Sequence, residues 1–168
     1  MWYDRATVEF GFGMHYTNFS ITTEEVKTKG NSSASTRSWD ISSLISSCSE
    51  TYMDLCFFAS VLVSVKNMGK TASDFVTLGF IAGDYGPEPH PRKQLVAYER
   101  LSNISAGAVA TATLNLTLGS LGRHDEAGNL VLYPGSYGLL VDVPVAATWN
   151  FTLTGTEAVL DRWPQTRS

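Results

Sequence analysis

The amino-acid sequence predicts an all-β fold, a two-sheet antiparallel β-sandwich. Hydrophobic and polar residues alternate along most of the chain, which is typical of strands that turn one face to a core and the other to water. Turn residues interrupt these runs about every 8 to 12 positions. Since a domain takes about 100 to 200 residues, the 168 residues predict one sandwich and not two domains.

Each predicted strand is defined by apolar residues at every second position. Turns rich in Gly, Pro, Asn and charged residues separate the strands at 66–70, 83–92, 103–107 and 125–129. The longest alternation, over 108–118, sets Ala and Leu against Thr and Asn and indicates a half-buried strand. In chain order, the residues expected to share one face of a strand are Phe19 and Ile21; Val61, Val63 and Val65; Val76, Leu78 and Phe80; Val96 and Tyr98; Leu114, Leu116 and Leu118; Tyr137, Leu139, Val141 and Val143; and Trp149, Phe151 and Leu153.

About seven short strands in one domain point to a sandwich of the immunoglobulin or fibronectin type III kind. A Ser-rich segment over 27–50 is too long for an ordinary connection between strands, and we interpret it as a surface insertion. The predicted division of the chain is an entry segment with the first strand (1–20), the sandwich (21–155) and a C-terminal tail (156–168).

A short helix is predicted inside this insertion. Asp40 is placed to cap one or two helical turns whose apolar face carries Ile41, Leu44 and Ile45. Trp39, just before the cap, is positioned to pack on Leu44 as a hydrophobic staple.

The asparagines indicate a secretory route. Five Asn-x-Ser/Thr acceptors for N-linked glycans occur in the sequence, where chance predicts roughly 1.5. The strand phases and turns leave all five side chains facing outward, as a glycan requires. The acceptors are Asn18, Asn31, Asn103, Asn115 and Asn150.

Two cysteines, Cys48 and Cys56, form no C-x-x-C pair and have no nearby histidine, so they make no zinc or redox motif. In an oxidising compartment they would pair in a disulfide. Two unpaired, partly buried thiols remain the alternative.

Composition and spacing exclude several kinds of partner and chemistry. The net charge of −4, with scattered Lys and Arg, predicts no binding to nucleic acid, and no apolar run is long enough for a membrane span. His15, His90 and His124 lack the spacing of metal ligands. Because no nucleophile elbow, phosphate loop or dinucleotide fingerprint is present either, we expect no cofactor, no metal and no catalytic residue in this chain.

Aromatic residues crowd the N-terminal segment. Exposed, they would suit stacking on sugar rings or docking on a partner domain; buried, they would be core. The sequence supports these two interpretations about equally. The candidates for an interdomain or sugar contact are Trp2, Tyr3, Phe10, Phe12, His15 and Tyr16.

Four motifs in order resemble the C-terminal fibronectin type III-like domain of glycoside hydrolase family three enzymes. The segment FGFGMHYTNF (10–19) resembles the entry segment of that family, and it is followed by VSVKNMGKTASDFVTLGFI (63–81) and PRKQLVAYERL (91–101). The fourth run ends in DEAGNLVLYPGSYGLLV (125–141). Trp-Tyr at 2–3 and His-Tyr at 15–16 are similar to the β-xylosidase branch.

This resemblance implies a fragment of a secreted exo-1,4-β-xylosidase whose catalytic aspartate and glutamate lie in upstream domains outside this chain. The domain's partners would be those catalytic domains, which it would stabilise, and xylo-oligosaccharides would be bound through the parent. A signal peptide is expected on the missing N-terminal part, with an extracellular location. Two alternatives stay open: a stand-alone sandwich that binds a carbohydrate or a protein, and the same domain of a β-glucosidase.

Overall fold

The computed structural model describes residues 10–13, 15–28 and 37–164, and it is nearly all β-structure. Two helices, α1 and α2, and one 3-10 turn (Met53–Leu55) interrupt the strands. The elements are β1 (Phe19–Thr28), β2 (Ser38–Asp40), α1 (Ile41–Ser46), β3 (Phe57–Asn67), β4 (Ser73–Tyr85), β5 (Gln94–Ile104), β6 (Val109–Thr117), α2 (Leu118–Leu121), β7 (Arg123–His124), β8 (Leu130–Leu132), β9 (Gly135–Val141), β10 (Ala147–Thr154) and β11 (Ala158–Asp161).

Two large sheets enclose the core. One has the strand order β1-β3-β6 and the other β2-β10-β9-β4-β5, while β11-β8-β7 forms a third, small sheet. Buried residues from both large sheets belong to one hydrophobic cluster, with Val63 and Leu114 on one side and Leu139 and Phe151 on the other. The predicted two-sheet sandwich is therefore confirmed.

The pairing of β3 with β6 shows how alternation produces the core. Val63 lies opposite Ala112 and Val61 opposite Leu114, and all four side chains are fully buried. Most of the residues between them, such as Ser60, Thr113 and Asn115, carry a hydroxyl or an amide and are partly or fully exposed, so each strand buries mainly one face.

Strand β4 is apolar on both faces. Phe75 and Ile81 belong to the core between the sheets. Val76, Leu78 and Phe80 share a face as predicted, but it is the outer face of the five-stranded sheet. Phe80 is nevertheless fully buried, because the entry segment lies over it.

The described parts of the 27–50 segment, residues 27–28 and 37–50, contribute to the sandwich. Strand β1 extends to Thr28, and β2 pairs with β10, the one parallel pairing among the described strands. Helix α1 begins after Asp40, as predicted, because the Asp40 carboxylate accepts a hydrogen bond of 3.0 Å from the Ser43 amide. Its Ile41 and Leu44 side chains are buried in the core.

Trp39 enters an aromatic cluster at one end of the core. Its ring lies edge-on to Phe58 at 5.3 Å and to Phe151 at 6.0 Å between centroids. Edge-to-face pairs of this kind add about 0.5 to 1.5 kcal/mol each beyond the area they bury. The 27–50 segment is thereby fastened to β3 and β10.

The segment assigned to the C-terminal tail contains strand β11, which pairs antiparallel with β8. Beyond β11, the Trp163 amide donates to the Asn129 side chain at 3.0 Å. This part of the chain closes the small third sheet.

Asn67 is fully buried at the end of β3 and makes four side-chain hydrogen bonds. Its Oδ1 accepts from the Thr17 hydroxyl at 2.8 Å and from the Gly69 amide at 3.0 Å. Its Nδ2 donates to the carbonyls of Thr71 at 2.8 Å and Ile104 at 2.9 Å. One amide thus joins the entry segment, the turn after β3 and the end of β5.

Tyr137 is the corresponding polar anchor of β9. Its buried hydroxyl donates to the carbonyl of Tyr133 at 2.6 Å, and its ring stacks on Tyr85 at 4.0 Å. Burial, with a smaller contribution from Tyr85, raises the pKa of this phenol far above its ordinary value. The protonated phenol is therefore the favoured form, and its hydroxyl donates to the Tyr133 carbonyl.

Candidate functional site

The entry segment crosses the outer face of the five-stranded sheet. At Gly11, whose φ is +89°, a Cβ atom would lie 2.9 Å from the Phe80 ring and 3.2 Å from both Leu78 and Val143. Glycine is required at this position both by the left-handed backbone and by the close approach to β4. The segment therefore covers side chains that water would otherwise reach.

The aromatic candidates that the structure describes are mainly on the surface. Phe10 is 70% exposed and Tyr16 95% exposed, and Phe12 is half exposed. His15 stacks on Phe75 at 4.9 Å but is itself an exposed residue. Trp2 and Tyr3 lie outside the described residues. The four described candidates are therefore exposed and do not belong to the core.

These residues continue into an apolar surface on the strands. Val76 and Leu95 are each 38% exposed and Tyr98 is 72% exposed. The register places Leu78 opposite Tyr98 and Phe80 opposite Leu95, so all of them belong to the outer face of β4 and β5. The outer apolar patch is hereafter Phe10, Phe12, Val76, Leu95 and Tyr98.

The sequence analysis identified Phe10 and Phe12 of this patch as surface candidates but not the patch residues on β4 and β5. The available signal was that β4 and β5 carry apolar residues at consecutive positions, such as Phe75 with Val76 and Leu95 with Val96. A strand that is apolar on both phases is typically covered on both faces. Such a pattern predicts a second buried or docking face.

A groove borders the patch where the entry segment meets β4. It has a volume of about 290 Å³, and its charged residues are Asp74, Arg100 and Asp142. The Arg100 guanidinium, hydrogen-bonded to Asp74, lowers the pKa of that carboxyl, and the Asn103 amide adds to the effect. Burial raises the pKa of the Asp142 carboxyl instead. The apolar patch thus has a charged margin.

The described sequon asparagines are all exposed. Asn18 precedes β1, Asn103 is the penultimate residue of β5 and has a φ of 52°, and Asn115 and Asn150 face outward from β6 and β10. Asn31 lies outside the described residues. Every described acceptor therefore has the accessibility that N-glycosylation requires.

The two cysteines are joined in a disulfide. Cys48 follows α1 and Cys56 precedes β3, and their Cα atoms lie 5.7 Å apart. This separation falls within the usual range for such bonds. The paired alternative is thus the correct one, and the bond fastens the loop between α1 and β3.

The fibronectin type III-like domain family matches residues 76–143. Over 98% of the chain, the sequence is 39% identical to a probable exo-1,4-β-xylosidase bxlB of Aspergillus flavus and 41% identical to a probable exo-1,4-β-xylosidase xlnD of Neosartorya fischeri. A solved structure of a GH3 exo-β-xylosidase, XlnD, in complex with a xylobiose aziridine activity-based probe superposes with a TM-score of 0.83 at 33% identity. Residues 76–143 belong to the fibronectin type III-like domain family, and the chain as a whole is similar to the corresponding part of glycoside hydrolase family 3 β-xylosidases.

This fibronectin type III-like domain spans only about one fifth of the curated relatives, 20% of the first and 21% of the second. The superposition on the solved xylosidase covers 98% of this chain and 21% of the xylosidase chain. A β-glucosidase from Chaetomella raphigera shares the fold, with a TM-score of 0.69 at 21% identity over 89% of this chain.

Over residues 10–13, 15–28 and 37–164, no three His, Cys, Asp or Glu side chains come together as a metal site. His90 lies 3.6 Å from Asp84, an exposed carboxylate, and His15 packs on Phe75. Among the same residues, no helix has the length and hydrophobicity to cross a membrane.

Proposed function

We propose that this domain is the non-catalytic C-terminal part of a secreted exo-1,4-β-xylosidase that takes part in xylan breakdown. The observation that carries the proposal is the match of 98% of the chain to about one fifth of each probable exo-1,4-β-xylosidase. The catalytic residues then belong to the remaining four fifths. Exposed sequons and a disulfide support a secreted parent.

We further propose that the outer apolar patch docks on the catalytic domains of the parent. Full burial of a large apolar side chain contributes about 1.5 to 3 kcal/mol, and Phe10 and Tyr98 are each about 70% exposed in the domain alone. A contact that buries both would therefore stabilise the parent by about 2 to 4 kcal/mol. This stabilisation is the role that we assign to the domain.

Reading the gene upstream of the first codon tests the origin of the chain. An open frame that continues into catalytic-domain sequence behind a signal peptide is expected. A stop codon just upstream, with transcription starting nearby, would contradict the proposal. The purified 168-residue chain is expected to release no 4-nitrophenol from 4-nitrophenyl β-xyloside, and robust turnover would also contradict it.

Docking is tested in the parent enzyme with two matched tyrosines. Tyr98 belongs to the patch and Tyr52, 67% exposed beside the disulfide, does not. Y98S is expected to lower the unfolding temperature of the parent and to leave the unfolding temperature of the isolated chain nearly unchanged. Y52S is expected to change neither. Equal effects of the two substitutions on the parent would refute docking through the patch.

A stand-alone binding module is the second candidate, and the 95% exposure of Tyr16 favours it, because a free aromatic ring can stack on a sugar. Under the main proposal the isolated chain passes through a xylan column without delay. Retention that disappears when Trp2 and Tyr3 are replaced by Ala would support the binding module instead.

A further inference from the structure

A groove runs across the outer face of the five-stranded sheet, at the β10 side. Asn150 of β10 faces outward between two buried aromatic residues. The register places Gly138 of β9 directly opposite it and Ala82 of β4 opposite Gly138. Across these three strands, Asn150 thus presents an amide, Gly138 has no side chain and Ala82 presents a methyl group. The lack of bulk in this row creates the groove.

The groove has the size and chemistry of a site for one sugar ring. Its volume of about 500 Å³ lies within the range of about 300 to 1,000 Å³ that is common for small-molecule sites. Leu140 supplies an apolar side, and Arg37, Asp84 and Ser136 supply polar groups. A pyranose presents the same combination, with C–H groups on its faces and hydroxyls at its edge.

Gly138 is required by space and not by backbone conformation. Its φ lies outside the left-handed region, so any residue could adopt this backbone. A Cβ atom at this position would lie 3.0 Å from the Asn150 side-chain oxygen and press on it. The missing side chain thus leaves the Asn150 amide free to lie along the groove.

We propose that Asn150, within the acceptor Asn150-Phe151-Thr152, carries an N-linked glycan whose first N-acetylglucosamine packs in this groove over Gly138 and Ala82. In the attachment step, the Asn150 Nδ2 forms a bond to the anomeric carbon of a lipid-linked oligosaccharide donor. The bond from that carbon to the donor's pyrophosphate oxygen breaks, the lipid pyrophosphate leaves with the electron pair, and the amide loses one proton to the transferase. The proposal does not depend on docking or on the parent's activity.

Asn115 supplies a matched control on the other large sheet. It is also an exposed acceptor at the outward phase of a strand. Across the β3–β6 pairing it faces Ser60, which carries a side chain, in place of a glycine. A glycan on Asn115 is therefore expected to extend into solvent.

The experiment uses the full 168-residue chain secreted from a glycosylating eukaryotic host. Mass spectrometry of glycopeptides reports occupancy at Asn150 and Asn115, and treatment with a peptide N-glycosidase reports how fast each glycan is released. Release from Asn150 is expected to be about tenfold slower in the native than in the denatured chain, because the linkage must first leave the groove. Release from Asn115 is expected to be similar in both states.

A side chain placed in the groove tests the packing directly. G138V is expected to raise the native release rate at Asn150 to that of Asn115, and G138A gives the same test where the larger residue prevents folding. In a chain that carries N18Q, N31Q, N103Q and N115Q, so that Asn150 is the one remaining predicted acceptor, deglycosylation is expected to lower the unfolding temperature. Three results would each overturn the proposal. They are an unmodified Asn150, equal native release rates at Asn150 and Asn115 in the unsubstituted chain, and an unfolding temperature that deglycosylation leaves unchanged.

Discussion

Replacement of Asn67 by Ala removes the most highly connected buried polar side chain among the described residues. The carbonyl of Ile104 stays buried without its donor, which costs about 1 to 3 kcal/mol. The three partly buried bonds, to Thr17, Gly69 and Thr71, contribute about 0.5 to 1.5 kcal/mol each. N67A is therefore expected to lose roughly 2.5 to 7.5 kcal/mol, a large share of the about 5 to 15 kcal/mol that stabilises a typical domain.

Two further variants separate hydrogen bonding from packing. N67D keeps the shape and the acceptor of Asn67 but cannot donate to the two carbonyls, so it is expected to cost at least as much as N67A. T17A removes one of the four bonds and is expected to cost about 1 kcal/mol while the chain stays folded. Urea unfolding followed by tryptophan fluorescence gives the free energy of unfolding for each variant. Losses below about 1 kcal/mol for both N67A and N67D would refute this reasoning.

Four further substitutions test separate parts of the domain. T77V is expected to be neutral or stabilising by up to about 2 kcal/mol in urea unfolding, because the buried Thr77 hydroxyl meets no hydrogen-bond partner among the described residues. Y137F is expected to cost about 1 to 1.5 kcal/mol in the same assay, through loss of the bond to the carbonyl four residues earlier; a loss near zero would contradict this. Replacing Cys48 and Cys56 together by Ala is expected to cost about 2 to 3 kcal/mol, and the reductant sensitivity of unfolding should vanish with the bond. D142N is expected to raise the unfolding temperature at pH 7, and this gain should shrink as the pH falls towards about 4. The reason is that a carboxyl whose pKa is raised by folding binds more protons in the folded state, so its charged form destabilises the fold as the pH rises. A gain that is independent of pH would exclude the carboxyl as its cause.

Alternation predicted the strands best where one face of a sheet meets the core and the other meets water. Strand β6 is the clearest case, because Leu114 and Leu116 are fully buried and Asn115 between them is exposed. The same signal could not assign the faces of β4, where Val76 and Phe75 are both apolar. The entry segment covers the outer face, and a local pattern carries no information about a cover that comes from elsewhere in the chain.

The sequence also could not show which polar residues converge inside the fold. Asn67 stands at the start of a Lys-Asn-Met-Gly-Lys turn and is typical of an exposed turn residue. It is buried because groups from two distant segments, those of Thr17 and Ile104, meet the turn there. Likewise, the aromatic candidates Phe10 and Phe12 were evident from composition, but their neighbours on β5 depend on strand order.

The parallel pairing of β2 with β10 affects how much of a strand edge this domain exposes to other chains. A long strand at the border of a sheet offers unpaired amides and carbonyls to any other chain and promotes aggregation. Here β2 covers the last three residues of the eight-residue strand β10, and the Asp40 cap turns the chain away into α1 at once. What resembles a dispensable Ser-rich insertion thus shortens the length of β10 that is open to another strand. Shortening this segment to streamline the domain would remove that protection together with the core side chains Ile41 and Leu44.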